Sequence, residues 1–96
     1  MKKGYVFLRL NIRDASLFDE YKELGPNAVS EYGGKYLIRG GNLDILEGDW
    51  DFARNTLIEF ESVDKAKEWY CSTNYQKALK IRTQSATGDV IIVEGS

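Results

Sequence analysis

The side chains of this sequence best suited to chemistry are arginines, glutamates and aromatic residues, because the chain contains no histidine and only one cysteine. The most distinctive local arrangement is Arg39 followed by Gly40 and Gly41, at the point where a strand-like pattern ends. We expect Arg39 to present its guanidinium group to a carboxylate or another anion, while the glycines give a ligand close access to the backbone. The alternative is a plain turn with a nearby ion pair.

Two further arginines extend this candidate site. Arg54 precedes the third predicted strand, and Arg82 lies on the apolar stripe of the last predicted helix, seven residues after Tyr75. An arginine on an apolar face needs a partner, because burying it unpaired costs free energy. Glu47 and Glu59 are the acids best placed to pair with these arginines. The set therefore forms either a closed structural ion-pair network or a clamp for an anionic substrate.

The glutamates and aromatic residues leave the chemistry open. Glu47 and Glu59 would serve as general acids or bases only if burial made their carboxyl groups harder to ionise. Trp50 forms either the wall of a pocket or part of a dimer boundary, and Tyr75 either packs in the core or points its hydroxyl into a cleft. No residue is assigned a catalytic role. The predicted ligand-binding residues are Arg39, Gly40, Gly41, Glu47, Trp50, Arg54, Tyr75 and Arg82.

Composition argues against several kinds of site and partner. Without histidine or paired cysteines no metal site is expected, and without a phosphate-cradling glycine motif no cofactor is predicted. The net charge of −2 argues against nucleic-acid binding. No apolar run approaches the roughly 20 residues that span a bilayer, and the N-terminal residues lead into no signal-peptide core. The single cysteine, Cys71, fits a reducing compartment, so we expect a cytoplasmic protein without a membrane partner.

The periodicity of apolar residues predicts the strands and helices that position these side chains. Strand patterns occur at residues 5–12, 35–39, 56–60 and 90–93. Helical patterns lie between the first and second strands and between the third and fourth. Right-handed crossovers in this order put the helices on one face of a four-stranded antiparallel sheet. Residues 1–96 are therefore expected to form one α+β domain with a ferredoxin-like βαββαβ sandwich.

The first helix has an interrupted pattern. Leu17, Tyr21 and Leu24 recur at helical spacing and predict its buried stripe. Gly25-Pro26 then interrupts the stripe, because proline removes an amide hydrogen bond and clashes with the preceding turn. We expect a kink at this point, or two short helices that share a face.

The sheet face without helices predicts self-association. In the first strand Tyr5 and Phe7 alternate with Val6 and Leu8, so aromatic side chains occupy the face opposite the apolar row. The last strand is apolar on both faces, as strands covered on both sides are. A second copy applied to the same face would cover this surface with twofold symmetry. We therefore expect a homodimer packed sheet against sheet, the alternative being a self-sufficient monomer.

The most individual segment of the chain is residues 32–41, which read Tyr-Gly-Gly-Lys-Tyr-Leu-Ile-Arg-Gly-Gly. It is followed in order by Glu47-Gly48-Asp49-Trp50, Arg54, Ile58-Glu59-Phe60, Trp69-Tyr70, Tyr75-Gln76, Ile81-Arg82 and Glu94-Gly95. Together these segments resemble the family called domain of unknown function 1330, within the dimeric α+β barrel superfamily. The resemblance implies two ferredoxin-like subunits packed sheet against sheet, and it leaves the activity open. Where the family often has a proline before the arginine, this chain has Asp51-Phe52-Ala53.

Two functions remain in competition. The first is a homodimer that binds a small anionic or aromatic organic molecule between sheet and helices, possibly as an enzyme without a cofactor. The second is a module that serves assembly or regulation without turnover. RNA binding by the same βαββαβ plan is disfavoured, because the third strand carries Glu59 and Glu61 where RNA-binding domains need basic and aromatic residues.

Overall fold

Seven elements follow one another in the computed structural model, which describes residues 1–96. They are β1 (Gly4–Ile12), α1 (Ala15–Glu31), β2 (Lys35–Arg39), β3 (Arg54–Phe60), α2 (Val63–Cys71), α3 (Thr73–Ser85) and β4 (Ala86–Glu94). The side chain of Asp14 accepts a hydrogen bond from the Leu17 amide and caps α1, while Ser62 and Ser72 cap α2 and α3 in the same way. The predicted order of strands and helices is confirmed.

The four strands form one antiparallel sheet in the order β2-β3-β1-β4. The predicted alternation in β1 is confirmed, because Val6, Leu8 and Leu10 are buried beneath the helices while Tyr5 and Phe7 face the other side. The sheet and its one helical layer form the predicted ferredoxin-like α+β arrangement. None of the helices is long and apolar enough to cross a membrane.

Aromatic side chains fill the centre of the layer between the sheet and the helices. Trp69 of α2 and Tyr75 of α3 are fully buried, and their ring centroids lie 4.1 Å apart. Phe60 of β3 stacks on the other side of Trp69 at 5.3 Å. Burying rings of this size contributes much of the stability of a small domain.

The structure corrects two predictions for α1. The helix runs unbroken from Ala15 to Glu31 with Pro26 inside it, so the division into two short helices is wrong. The buried stripe consists of Phe18, Gly25, Ala28 and Val29, whereas Leu24 of the predicted stripe is 42% exposed. The true stripe is hard to recognise in the sequence because glycine and alanine occupy half of it.

The sheet face without helices, here named the open face, carries large apolar side chains. Phe7 and Leu57 are half-buried there. Toward the two edges of the sheet Ile38, Ile91 and Val93 are 44%, 54% and 50% exposed. The open face is therefore an apolar surface, as the alternation in β1 and β4 predicts.

Candidate functional site

A β-bulge in β2 brings Arg39 to the helix side of the sheet. Tyr36 lies opposite Ile58, but Arg39, three residues later, lies opposite Thr56, so one residue of β2 is extra. Both Ile58 and Thr56 face the helices and are buried. Tyr36 and Arg39 therefore share the helix-facing side, although an odd spacing puts residues on opposite sides of a regular strand.

Arg39 meets Arg54 in a cleft between α1 and the sheet, here named the arginine cleft. Arg54 is the first residue of β3, and its guanidinium carbon lies 5.2 Å from the ring centroid of Phe18. The guanidinium carbon of Arg39 lies 4.8 Å from the ring centroid of Tyr36. The remaining walls are formed by Leu8, Leu10, Tyr21, Lys22, Gly25, Thr56 and Ile58.

The proline in α1 gives Arg39 one of its contacts. Pro26 has no amide hydrogen, so the carbonyl of Lys22, four residues earlier, lacks its helical donor. Nη2 of Arg39 donates to that carbonyl oxygen at 3.0 Å. The hydrogen bond partly compensates for the one that proline removes, and it ties the end of β2 to the middle of α1.

No carboxylate lies within 4.0 Å of Arg39 or Arg54. The closed ion-pair network considered as an alternative is therefore not formed. Burial, and after it the charge of Arg39, lowers the pKa of Arg54. Two guanidinium groups that repel each other without an acid between them form a site with positive potential, which favours an anion.

Glu47 and Glu59 lie elsewhere. Glu59 is on the open face, where it accepts hydrogen bonds from Nζ of Lys3 at 3.3 Å and from the hydroxyl of Tyr5 at 3.1 Å. The hydrogen bond from Lys3 lowers the pKa of Glu59, which is the opposite of what a general base at neutral pH needs. Glu47 is exposed in the loop between β2 and β3 and forms no ion pair.

Three tyrosine hydroxyls lie in and behind the arginine cleft, and of these only that of Tyr75 belongs to the site predicted from the sequence. Tyr21 and Tyr36 line it, and the hydroxyl of Tyr21 shares a 3.0 Å hydrogen bond with that of buried Tyr75. Burial is the largest cause that raises the pKa values of all three. They are therefore neutral hydrogen-bonding groups at neutral pH. The position of Tyr21 on the predicted helical stripe was the one signal for this role.

The arginine cleft is small in this conformation. It encloses about 20 Å³, which is room for a single group the size of a water molecule. A carboxylate group has three heavy atoms and needs more room, so it would enter only if the exposed side chain of Arg39 moved outward. The opening lies beside Arg39, which is itself exposed.

The two glycines after Arg39 differ in their surroundings. Gly40 has a φ of +68°, which favours glycine, and a side chain there would meet the guanidinium of Arg54. The absence of a side chain at Gly40 therefore leaves room for the guanidinium of Arg54. Gly41 is exposed in the loop, and a side chain there would meet nothing within 4 Å.

Trp50 and Glu47 belong to the open face. They line a cleft of about 460 Å³ between β1 and the loop from β2 to β3, together with Phe7 and Leu43. The Trp50 ring meets that of Phe7 edge-on with 6.2 Å between centroids, and its Nε1 donates to Oδ1 of Asn55 at 3.0 Å. Trp50 is thus both a wall of this cleft and part of the open face.

Arg82 and Tyr75, both on α3, are set apart from the arginine cleft. Tyr75 is fully buried, so its hydroxyl reaches the cleft only through Tyr21. Arg82 is buried and lines a separate cleft beside the edge strand β4. The predicted ligand-binding residues thus divide among three places. Arg39, Gly40 and Arg54 come together, while Gly41, Glu47 and Trp50 lie toward the open face. Trp50 also lines the cleft of Arg82, so the second and third places adjoin at the edge of β4.

Metal binding finds no support in the side-chain arrangement. No group of three histidine, cysteine, aspartate or glutamate residues is placed to hold a metal ion. The functional groups gathered in the arginine cleft are guanidinium and phenol groups, which bind anions and other hydrogen-bond acceptors.

Solved structures share this fold at low sequence identity. A protein of unknown function from Rhodopseudomonas palustris is 20% identical with a TM-score of 0.75, over 97% of this chain and 80% of that one. A dimeric ferredoxin-like protein of unknown function from Jannaschia sp. CCS1 is 16% identical with a TM-score of 0.74, over 98% of both chains. SnoaB, a cofactor-independent oxygenase from Streptomyces nogalater, is 8% identical with a TM-score of 0.58, over 100% of this chain and 95% of that one.

The family assignment comes from the sequence itself. No curated protein matches the chain. The model of the family described as domain of unknown function DUF1330 matches residues 3–96, which include every strand and helix of the fold. The resemblance inferred from residues 32–41 and the segments after them is thereby confirmed, and the chain belongs to the DUF1330 family.

Proposed function

We propose that this protein binds the carboxylate, or a similar anionic headgroup, of a small organic molecule in the arginine cleft. The observation that carries the proposal is the pair of guanidinium groups, Arg39 and Arg54, that share a cleft without any carboxylate. A carboxylate between them would supply the missing negative charge and accept charge-assisted hydrogen bonds. The neutral hydroxyl of Tyr36 would add a further donor.

The size of the cleft determines which part of the ligand it takes. With about 20 Å³ enclosed, it would take no more than a headgroup, admitted by a movement of exposed Arg39, and would leave the body of the ligand outside. Aromatic or aliphatic acids of different lengths would then bind through the same end. We therefore expect selectivity for the anionic group and tolerance of the rest.

Binding without turnover is the function that these groups support best. The cleft contains no histidine or carboxylate, and burial raises the pKa of both tyrosines that line it, so neither tyrosine is a ready general base at neutral pH. The alternative is an enzyme that works without a cofactor. The resemblance in fold to SnoaB favours that alternative, and the tyrosine hydroxyls could stabilise an oxyanion formed from a bound substrate.

We further propose that the protein is a homodimer joined through the open face. The apolar side chains of Phe7, Leu57 and Ile91 would be removed from water by a second copy in twofold contact. The relative from Jannaschia is described as dimeric, which supports this assembly.

The cytoplasm stays the predicted location, on the basis of the single unpaired cysteine, Cys71.

The binding proposal is tested by titration calorimetry with sodium benzoate, a small acid with one carboxylate. We expect saturable binding to the wild-type protein. The Arg54→Gln substitution should weaken benzoate binding by about tenfold or more, since a hydrogen bond to a charged group contributes roughly 1.5–3 kcal/mol. The matched control is Arg13→Gln, at an exposed position outside the cleft, which should bind as the wild type does.

Two results would overturn the binding proposal. One is that benzoate, acetate and phenylacetate all fail to bind to the wild-type protein. The other is that the Arg54→Gln variant binds benzoate as tightly as the Arg13→Gln variant does.

A second experiment separates binding from turnover: an acid that binds is incubated with the protein and followed by NMR. Conversion that Arg54→Gln abolishes would favour the enzyme, and an unchanged ligand would favour the binding module.

A further inference from the structure

A second unpaired guanidinium lies on the opposite side of the helical layer. Arg82 is 6% exposed, and its Nε is buried without a hydrogen-bond partner. No carboxylate lies within 4.0 Å of its nitrogens. Burying a cation without a counter-ion is unfavourable, because buried charges in proteins are normally paired.

Neighbouring groups do not compensate this charge. Arg82 lies in the last turn of α3, but helical side chains lean toward the N-terminus and so carry the guanidinium away from the carbonyl end of the helix. In that direction lies Tyr75, a neutral phenol that already shares a hydrogen bond with Tyr21. A phenol can accept a hydrogen bond from Arg82, but it does not supply a negative charge.

The space beside Arg82 is open and large enough for a ligand. A cleft of about 670 Å³ wraps around the edge strand β4. Arg82, Tyr70 and Val90 line it on the helix side, and Phe7, Trp50 and Ile91 line it on the open face. Asp89 also lines it, but its carboxylate is held by Arg9, at 2.7 Å from Nη2. The uncompensated charge of the cleft is therefore that of Arg82.

We propose that this cleft is a second anion site, in which Arg82 binds the carboxylate of a monoanionic organic acid whose apolar part lies along β4. One guanidinium matches one negative charge, which favours a monoanion over a phosphate dianion. The apolar walls on the helix side, Val90 and the ring of Tyr70, favour an organic acid over an inorganic ion. This site shares no lining residue with the arginine cleft, so each can be tested while the other is disabled.

The first test observes the guanidinium itself. In the Arg54→Gln variant, which disables the arginine cleft, the Nε–H signals of the arginines are followed by ¹⁵N–¹H NMR during titration with sodium benzoate. The Arg82→Lys substitution, made in the same background, removes one Nε–H signal, and the signal that disappears is assigned to Arg82. We expect the Arg82 signal to shift and saturate at millimolar benzoate, and exposed Arg13 serves as the internal control. An Arg82 signal that stays in place, or that follows Arg13 and responds equally to sodium chloride, overturns the proposal.

The second test separates a binding role from a structural one. In the same background, Arg82→Met keeps much of the side-chain volume and removes the charge. We expect this variant to melt no lower than its parent and to lose the rise in melting temperature that benzoate produces in the parent. If Arg82→Met melts lower and is still stabilised by benzoate as its parent is, Arg82 is a packing residue and the proposal fails.

Discussion

The buried hydroxyls of Tyr21 and Tyr75 satisfy each other's hydrogen bonding without adding charge to the interior. Each hydroxyl has the other as its partner at 3.0 Å, and burial raises the pKa of both. The ionised form of Tyr21 is the more strongly disfavoured, since its pKa rises well above the ordinary value of 10.0. The pair therefore donates and accepts hydrogen bonds without taking up charge at neutral pH.

The stability of the protein should fall as the pH rises above about 10. The unfolded chain releases the Tyr21 proton near 10.0 whereas the folded protein retains it, so deprotonation favours unfolding in this range. The stability that comes from keeping Tyr21 protonated is fully present below the pKa that this tyrosine has in the unfolded chain. Urea unfolding at a series of pH values measures the effect. The Tyr21→Phe variant should lose about 1 kcal/mol at neutral pH and show a shallower decline above pH 10.

Tyr32→Phe is the matched control for that experiment, because Tyr32 lies outside the hydrogen-bonded pair. It should leave the alkaline decline as steep as in the wild type. A decline equally steep in Tyr21→Phe would show that the pair does not govern the alkaline behaviour.

Residue types were easier to predict than the directions of their side chains. Arg39 and Arg54 were recognised because charged residues at the ends of apolar strands stand out. Tyr36 was missed because regular alternation places residues 36 and 39 on opposite faces, and the bulge that reverses this has no sequence signal of its own. Arg82 was recognised as an arginine on an apolar face, but its distance from the other two depends on helix packing.

Among the elements, α1 contains a helix-breaking residue, and a side chain from another element supplies a hydrogen bond in place of the one that is lost. Pro26 leaves the Lys22 carbonyl without a helical donor, and Arg39 from β2 supplies the missing hydrogen bond. The same arginine is half of the proposed anion site. Its two roles compete, because a guanidinium nitrogen that donates to the carbonyl is turned away from a ligand.

Restoring the helical hydrogen bond should release Arg39. In Pro26→Ala the amide of residue 26 can donate to the Lys22 carbonyl, so we expect a gain of about 1 kcal/mol in the free energy of unfolding. Benzoate should bind more tightly, since Arg39 is free to turn to the carboxylate. Urea unfolding and calorimetry measure the two effects. Asn27→Ala, an exposed neighbour on the same helix, controls for helix propensity and should gain only a few tenths of a kcal/mol.

Two outcomes would contradict this account of α1. A Pro26→Ala variant no more stable than Asn27→Ala would mean that Arg39 fully replaces the lost hydrogen bond. Unchanged benzoate affinity would mean that the Lys22 contact does not restrain Arg39.

The order of elements could be predicted because alternation and helical spacing depend on short stretches of sequence. β1 and β3 alternate cleanly, and Ser62 begins a helix as its side chain predicts. The continuity of α1 through Pro26 could not be predicted in this way. It depends on Arg39, a residue 13 positions further along the chain (39 − 26).

In the molecule as a whole, a single copy of the chain leaves apolar side chains of the open face exposed to water. The Cα atoms occupy a slab of 33 × 32 × 16 Å, whose two broad sides are the helical layer and the open face. Ile91 and Val93 lie about half exposed on that broad open face. A homodimer through this face would account for their exposure. It would leave the arginine cleft accessible from the helix side, and it would close the cleft beside Arg82 where Phe7, Trp50 and Ile91 line it on the open face.

A charge placed on the open face should dissociate the dimer. Ile91→Glu would bury a carboxylate without a partner, which costs several kcal/mol and should raise the dimer dissociation constant roughly hundredfold or more. Analytical ultracentrifugation measures the effect. Leu24→Glu is the matched control, because Leu24 is also exposed but lies on α1, away from the open face. A wild-type protein that sediments as a monomer, or an Ile91→Glu dimer as stable as Leu24→Glu, would contradict the proposed interface.

The central claim is that Arg39 and Arg54 together hold an anionic headgroup, and a crystal structure with bound benzoate tests it most directly. The account predicts carboxylate oxygens within hydrogen-bonding distance of both guanidinium groups, with the benzene ring outside the cleft. Benzoate found only elsewhere in the molecule, with Arg39 still donating to the Lys22 carbonyl, would contradict the claim.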